Sequence, residues 1–154
     1  MGLAIYYKDE NDQFVEVSVD SDLDTPITTV HNGKSGDIKT VQLYLRNDDA
    51  AKWFSNIRIQ PLDTVGADPY GDVAYNETGW GVKLSPGAAE PTTGEWEDMN
   101  WGEEVSMSDI GADGGADTTT YFPFWYYITC PPNEDVAIKT DIVLDVSYTE
   151  NAVS

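Results

Sequence analysis

The feature that most constrains the fold of this chain is a repeated alternation of apolar and polar residues. In TVQLYLRN, the side chains of Val41, Leu43 and Leu45 fall on one face of an extended chain, and more polar side chains fall on the other. The segments FVEVSV, NIRIQPL, GVKLS and DIVLDVSY repeat this pattern. A period of two residues is that of a half-buried β-strand. Together with LAIYYK, ITTVH, EVSMSDI and YFPFWYYITC, the sequence predicts about nine strands.

The segments between the predicted strands are rich in residues that break regular structure. The chain has 13 glycines and 8 prolines, and HNGKSGD and NDDA carry turn signals. No window has a convincing helical period, so we expect at most one helical turn, at Ala50–Phe54. Many short strands separated by turns are typical of an antiparallel β-sandwich. We therefore predict an all-β fold, immunoglobulin-like or jelly-roll-like.

The length of 154 residues is that of one ordinary domain, and we predict a single β-sandwich domain over residues 1–154. The stretch from about 63 to 115 differs from the rest, because its strands are sparse and Gly, Pro, Asp, Glu and Trp dominate it. This stretch is too long for simple hairpin loops. We predict a loop-rich insertion there, and long ordered loops on a sandwich usually carry contacts.

The net charge of −20 limits the classes of partner. A field of this sign repels nucleic acid and anionic membranes, and the eight Lys and Arg residues form no local basic patch in the sequence. No run approaches the roughly 20 apolar residues of a membrane helix. The N-terminal MGLAIYYKDE lacks the basic and apolar regions of a signal peptide, which predicts synthesis in a cytoplasm. Solubility alone explains the acidity, while positively charged partners remain compatible with it.

Residues suited to catalysis are few. The only histidine, His31, adjoins a turn signal and is better explained as the last residue of a strand. The single cysteine, Cys130, excludes an intrachain disulfide. Four acidic residues flank two tryptophans, and a glycosidase could use two of these carboxylates as a pair. An acidic loop explains them equally well. The four residues are Glu95, Glu97, Glu103 and Glu104. We predict no enzyme and no cofactor.

Two groups of aspartates are candidates for calcium. The first candidate has the D-x-D-x-D spacing with which a calcium-binding loop begins, at Asp20, Asp22 and Asp24. The motif is incomplete, because Thr25 and His31 occupy the positions that require Gly and Glu. In DIGADGGAD, oxygen ligands lie on a Gly-rich loop that suits calcium, although their spacing matches no defined motif. The weak calcium candidates are therefore Asp109, Asp113 and Asp117.

Tryptophans in the loop-rich region suggest two interpretations. Trp80, Trp96 and Trp101 could form a platform on which sugars stack, beside hydrogen-bonding neighbours such as Asn100. Alternatively, these rings anchor the long loops to the sandwich, because loops of this length need a small core of their own. The sequence favours anchoring.

Six of the first seven residues of YFPFWYYITC are aromatic. Alternation places Phe122, Phe124, Tyr126 and Ile128 on a core face. The other face carries Tyr121, Trp125 and Tyr127, residue types that are enriched at protein interfaces. That face needs a cover, which is either the chain's own loops or another subunit. Pro123 cannot donate to a strand ladder, which predicts a sheet edge or a bulge.

Two parts of the chain carry a family resemblance. TTVHNGKSGDIKTVQLYLRNDD followed by WFSNIRIQPLD, and the later FWYYITCPPNEDVAIKTDIVLDVSY, resemble the small β-sandwich virion proteins of tailed bacteriophages, most closely capsid decoration (cement) proteins. The same runs are similar to immunoglobulin-like and fibronectin-like modules. The resemblance covers mainly Ile27–Leu62 and Tyr121–Tyr148 and is one of pattern.

The resemblance implies a structural virion protein that docks on the capsid lattice, contacts the major capsid protein or another virion protein, and stabilises the shell. It also implies a homo-oligomer, either a trimer or a dimer. The interface candidates are Tyr121, Trp125 and Tyr127. The alternative from another class is a glycan- or receptor-binding module.

Overall fold

The computed structural model describes residues 2–17, 29–31, 37–63, 81–130, 137–139 and 142–154. Within these ranges, ten strands and one short helix follow one another. They are β1 (Leu3–Lys8), β2 (Phe14–Val17), β3 (Thr29–His31), β4 (Asp37–Asn47), β5 (Lys52–Asp63), β6 (Gly81–Pro86), α1 (Thr93–Glu97), β7 (Val105–Met107), β8 (Phe122–Cys130), β9 (Ala137–Lys139) and β10 (Ile142–Ala152). None of the helices in these ranges is long and apolar enough to cross a membrane.

Two sheets pack face to face, which confirms the predicted antiparallel β-sandwich. The larger sheet has the strand order β2-β1-β4-β8-β6 and the smaller sheet has the order β10-β5-β7, and every pairing is antiparallel. The two sheets hold eight strands rather than the nine that the sequence predicts. The remaining predicted segment, ITTVH, contributes β3, which ends at His31 and pairs with β9 as a separate two-stranded sheet.

Alternation of side chains builds the core between the two sheets. The buried apolar side chains come from both sheets and form one cluster. Its fully buried members include Ile5, Leu43, Leu45, Phe54, Ile57, Ile59, Phe124, Tyr126, Ile128 and Leu144. The predicted core face of β8 is therefore confirmed for Phe124, Tyr126 and Ile128.

A β-bulge changes the alternation in the middle of β5. Ser55 pairs with Thr149 and Arg58 pairs with Ser147, so two residues of β5 lie opposite one residue of β10. The first of them, Asn56, has a φ of 52°, in the left-handed region that asparagine tolerates better than most residues. Because of the extra residue, Phe54 on one side of the bulge and Ile57 on the other both face the core.

Two local predictions were wrong. Strand β8 lies between β4 and β6 and is not at a sheet edge. Pro123 is tolerated there because its carbonyl accepts from the Gly87 N–H at 3.0 Å, on the β6 side, just beyond the end of β6. Its missing N–H therefore points past the end of that ladder. The helical turn expected at Ala50–Phe54 is a turn followed by the first residues of β5, and the helix that the structure describes is α1.

The region predicted as a loop-rich insertion contributes one strand to each of the two sheets. Strand β6 joins the larger sheet, β7 joins the smaller sheet, and α1 lies in the chain between them. The long connections are therefore attached to the sandwich at both of its sheets.

The β4–β5 connection, NDDA, is organised by a buried asparagine. Asn47 is 0% exposed, and its side chain donates to the carbonyls of Asp49 at 3.1 Å and Lys52 at 2.9 Å. Its amide oxygen accepts from the Asp49 N–H at 2.8 Å. The side chain thereby satisfies three backbone groups of the turn.

We predict that Asn47→Ala lowers the free energy of unfolding by about 2 kcal/mol, since buried backbone groups lose their partners. Urea denaturation followed by circular dichroism measures the change. Asn11→Ala, at an exposed position of the β1–β2 turn, is the control and should cost less than about 0.5 kcal/mol. Equal costs for the two variants would show that Asn47 does not organise the turn.

Candidate functional site

The outer face of the larger sheet, which points away from the smaller sheet, carries several aromatic side chains and a lysine that is buried. The strand registers set them in rows across the sheet. Tyr6, Tyr44 and Pro123 form one row. Gln42, Trp125 and Ser85 form the next, followed by Thr40, Tyr127 and Lys83. This many rings on an outer sheet face is unusual, and the two halves of the face are arranged differently.

The chain itself covers the half of this face that lies over β8 and β6. We call residues 87–102 the strap. At one end, the Gly87 N–H donates to the Pro123 carbonyl at 3.0 Å. At the other end, the Gly102 N–H donates to the Val82 carbonyl at 2.7 Å. The strap is thus tied to β8 and to the edge strand β6.

The first part of the strap lies against Trp125. The Ala88 carbonyl accepts from the Trp125 indole N–H at 3.1 Å and from the Gln42 side chain at 3.3 Å. The Thr40 hydroxyl donates to a carboxylate oxygen of Glu90 at 2.8 Å. These contacts carry the strap across the sheet as far as β4, and they leave Trp125 half-buried.

Helix α1 forms the second part of the strap. A capping box starts it, because the Thr92 hydroxyl accepts from the Glu95 N–H while the Glu95 carboxylate accepts from the Thr92 N–H at 3.0 Å. Hydrogen bonding of the carboxylate to Thr92 lowers the pKa of Glu95, and the bond from the Thr92 backbone N–H is the largest cause. The helix directs Trp96 onto the sheet, where it is 4% exposed and its ring centroid lies 4.8 Å from that of Tyr127.

A buried lysine holds the end of α1. Lys83 on β6 is 4% exposed, and its Nζ donates to the Trp96 carbonyl at 2.6 Å. The same Nζ lies 4.2 Å from the ring centroid of Trp101 and 5.7 Å from that of Tyr127. Burial lowers the pKa of Lys83, although Glu97 and Asp98 act in the opposite direction. A carbonyl at the C-terminal end of a helix and the faces of two aromatic rings are all favourable partners for a cation.

Tyr127 lies at the centre of this arrangement. It packs against Trp96 and, at 5.8 Å between centroids, against Trp101. Burial raises the pKa of the Tyr127 hydroxyl, and the charge of Glu97 adds to the effect. Of the two covers that the sequence allows for Trp125 and Tyr127, the structure therefore provides the chain's own loop.

We predict that the difference in the free energy of unfolding between the wild type and Lys83→Met increases with pH in the alkaline range below about 10.4, the ordinary pKa of lysine. The pKa of Lys83 is lower in the folded chain than the value of about 10.4 expected in the unfolded chain. In that window the unfolded chain binds more protons, so the contribution of Lys83 to stability rises with pH.

Urea denaturation of both proteins at several pH values measures the difference. Tyr127, Glu97 and Asp98 are present in both proteins, so the subtraction isolates the lysine. A difference that stays constant or falls as the pH rises would contradict the prediction.

We predict that Trp96→Ala lowers the free energy of unfolding by about 3 kcal/mol, because it removes a buried ring between α1 and the sheet. Trp101→Ala removes a half-buried ring and should cost about 1 kcal/mol. Denaturation in urea gives both values. A cost for Trp96→Ala no greater than that for Trp101→Ala would mean that Trp96 is not the main anchor of α1 on the sheet.

The sugar platform proposed from Trp80, Trp96 and Trp101 is not assembled among the described residues. Trp96 is buried and presents no ring face to a ligand. Trp101 packs on Tyr127 and beneath Lys83, and Trp80 lies outside the described residues. Trp96 and Trp101 instead have the anchoring role that the sequence favours.

The carboxylates weighed for a glycosidase have structural partners. Glu95 belongs to the capping box, Glu103 accepts from the Asn100 side chain at 3.1 Å, and Glu104 pairs with Arg58 at 3.1 Å. Glu97 acts on Lys83 and Tyr127 through its charge.

A cavity of about 270 Å³ lies at the ends of β6 and β8 and along β7. Within the described residues it is lined by uncharged side chains, among them Met107, Ile110 and Phe122.

The aspartates considered for calcium do not converge. Within the described ranges, no three His, Cys, Asp or Glu side chains are placed to hold an ion. Asp113 accepts from the Ser154 hydroxyl, and Asp117 accepts from the Thr120 hydroxyl at 2.8 Å and from the Thr119 and Thr120 N–H groups. The bond from the Thr120 hydroxyl is the main reason why the pKa of Asp117 is lowered. Asp109, Asp113 and Asp117 therefore do not form a calcium site as a group. Asp20, Asp22 and Asp24 lie outside the described residues.

The other half of the outer face, over β2, β1 and β4, carries four half-buried rings that we call the aromatic patch. Its members are Tyr6, Phe14, Tyr44 and Tyr121. Phe14 and Tyr121 are stacked with centroids 3.6 Å apart, Tyr6 meets Tyr121 edge-on at 5.3 Å, and Tyr44 meets Phe14 edge-on at 5.1 Å.

Two cations flank the aromatic patch. Lys8 Nζ lies 5.1 Å from the centroid of Phe14, and the Arg46 guanidinium lies 5.3 Å from that of Tyr121. Lys8 also pairs with Asp12 at 3.5 Å, and the Arg46 Nε–H donates to the Thr118 carbonyl at 2.8 Å. Burial is the main cause that raises the pKa of Tyr6, and the charges of Glu16 and Asp48 add to it.

Of the residues in this patch, the sequence pattern indicated only Tyr121 as an interface candidate. The signal for the others was present, since Tyr6 and Tyr44 stand at the outward positions of alternating strands where polar residues are usual. What joins them is the pairing of β1 with β4 and the return of the chain at Thr118–Tyr121, which involve residues far apart in the sequence.

Comparison of the chain with protein-family models, with curated proteins and with solved structures found no match. The fold and the outer face of its larger sheet are therefore the basis for a functional assignment.

Proposed function

We propose that this protein is a non-enzymatic docking protein that binds its partner through the aromatic patch. The observation that carries the proposal is the unequal cover of one sheet face. The strap closes the half that contains Trp125 and Tyr127, whereas no described segment of comparable length crosses Tyr6, Phe14, Tyr44 and Tyr121. Tyrosine, with an apolar ring and a polar hydroxyl, is a residue type enriched at the centres of interfaces.

The patch is suited to docking because it is ordered before the partner arrives. Its rings pack on one another, and both flanking cations are held by hydrogen bonds or ion pairs. It is built on paired strands, β1 with β2 and β4, and these restrict the backbone. Rings immobilised in advance lose little conformational entropy on binding, so more of the contact energy appears as affinity.

We further propose that the partner is a phage capsid lattice and that the protein acts there as a decoration protein. The support is the resemblance of Ile27–Leu62 and Tyr121–Tyr148 to the small β-sandwich virion proteins of tailed bacteriophages. Bound to capsid subunits, such a protein would stabilise the shell by burying aromatic surface, and its acidic exterior would keep particles apart. The expected trimer or dimer stays a prediction.

We predict that Tyr121→Ala abolishes co-sedimentation with purified capsids of the virus that encodes the chain. Tyr121 is half-buried, so we expect its loss to cost less than about 2 kcal/mol of folding free energy. Trp125→Ala is the matched control. It loses the contact with the strap and a similar amount of stability, but it should still sediment with the capsids below its melting temperature.

Sedimentation through a sucrose cushion, followed by gel electrophoresis of the pellet, reads out the association. The proposal fails if the wild-type protein stays in the supernatant. The assignment of the docking surface fails if Trp125→Ala abolishes sedimentation while Tyr121→Ala does not.

A further inference from the structure

The charges around the aromatic patch bear on the chemistry of its partner. Among the described residues, three exposed carboxylates lie beside the patch. Asp12 has a side chain 84% exposed, and Glu16 and Asp48 are also exposed. Glu16 lies directly across from Tyr6 in the β1–β2 pairing. Both Glu16 and Asp48 are near enough to Tyr6 to act on its hydroxyl electrostatically.

The two cations of the patch have partners within the chain. Lys8 is shared between the ion pair with Asp12 and the rings of Phe14 and Tyr44. Arg46 is bound to the Thr118 carbonyl and lies over Tyr121. Three carboxylates against two cations leave the described rim of the patch with a surplus of one negative charge, on a chain whose net charge is −20.

The packing of the rings in the patch disfavours a stacked sugar and favours a long side chain with a charged end. One face of Phe14 is stacked on Tyr121, Lys8 lies over its ring, and Arg46 lies over the ring of Tyr121. A sugar that stacks on open ring faces finds none on these two residues. A long side chain with an apolar stem and a charged head meets both features of the surface, because the stem packs along the ring edges and the head reaches the rim.

We propose that the aromatic patch binds a basic protein surface, with lysine or arginine side chains of the partner packed along its rings and paired with Asp12, Glu16 and Asp48. This inference rests on the proposed docking function and names the chemistry of the partner. A second copy of the chain fits poorly, since two chains of net charge −20 repel each other. A basic partner is also drawn in by the long-range field, which raises the rate of association.

The first test uses a defined probe, a short fluorescein-labelled peptide that alternates arginine with alanine. A matched peptide carries citrulline, which has the same shape without the charge, in place of arginine. Fluorescence anisotropy measures both. We expect binding of the arginine peptide that weakens with salt, and no binding of the citrulline peptide. Equal binding of the two peptides would overturn the inference.

Paired variants separate the patch from the general acidity of the chain. Glu16→Gln with Asp48→Asn removes two charges at the rim, while Glu104→Gln with Glu150→Gln removes two charges on the side of the smaller sheet, where each pairs with a surface cation. We expect the rim variant to bind the peptide about tenfold more weakly and the control less than about twofold. Equal losses would mean that only the overall field acts, which overturns the proposed site.

A third variant examines the rings. Phe14→Ser leaves every charge in place, so a purely electrostatic site would bind the arginine peptide unchanged, and that result would overturn the inference. Loss of affinity, with circular dichroism showing an intact fold, supports it. Binding of a neutral oligosaccharide that Tyr121→Ser abolishes would instead assign the patch to glycans and overturn the proposal of a basic partner.

Capsid co-sedimentation of the rim variant distinguishes the two proposals. If the wild type and the rim variant sediment equally well, docking stands and the basic partner is wrong. If neither sediments while the peptide still binds at the patch, the capsid assignment is wrong and the charge preference of the surface stands.

Discussion

The contact of the Lys83 ammonium with the Trp96 carbonyl and the rings of Trp101 and Tyr127 determines how the rest of the outer face is used. It brings a cation, which is costly to bury, under a short helix where a carbonyl and two aromatic faces offset part of the lost hydration. The helix is only five residues long and would not persist alone. Its capping box starts it and the lysine holds its end, so that Trp96 is fixed on the sheet.

This arrangement divides one sheet face into two halves that the chain covers to different extents. Over β8 and β6, rings that would otherwise be exposed are covered by the strap and contribute to stability. Over β2, β1 and β4, the rings order one another and remain half-exposed. The division explains how a strongly acidic chain holds many aromatic side chains on an outer sheet face. The rings beneath the strap form an additional hydrophobic core. We infer that the aromatic patch forms a binding surface with an acidic rim.

Much of the fold was predictable because strand periodicity is a local property. Each of the nine predicted segments contains a described strand, eight of them in the two sheets of the sandwich, and the parity of β8 placed Phe124 and Tyr126 correctly in the core. The missed elements are short. Strand β9 has three residues, too few for a pattern. The start of helix α1 has a sequence signal, because Thr92 and Glu95 have the spacing of a capping box. Five residues are nevertheless too few to show a helical period.

The candidate site was less predictable, because it depends on contacts between distant parts of the chain. The indole of Trp125 meets the Ala88 carbonyl, and the register of β6 against β8 sets Lys83 beside Tyr127. Neither contact follows from periodicity. The bulge at Asn56 likewise follows from strand pairing, since one extra residue reverses which side chains of β5 face inward.

The central claim is that the two halves of the outer face differ in their role, and hydroxyl-radical footprinting read by mass spectrometry tests it most directly. The chain is labelled free and then bound to capsids. The account predicts that binding reduces oxidation of Phe14, Tyr44 and Tyr121 and leaves that of Trp125 and Tyr127 unchanged. Protection of Trp125 and Tyr127 with unchanged labelling of the aromatic patch would contradict it.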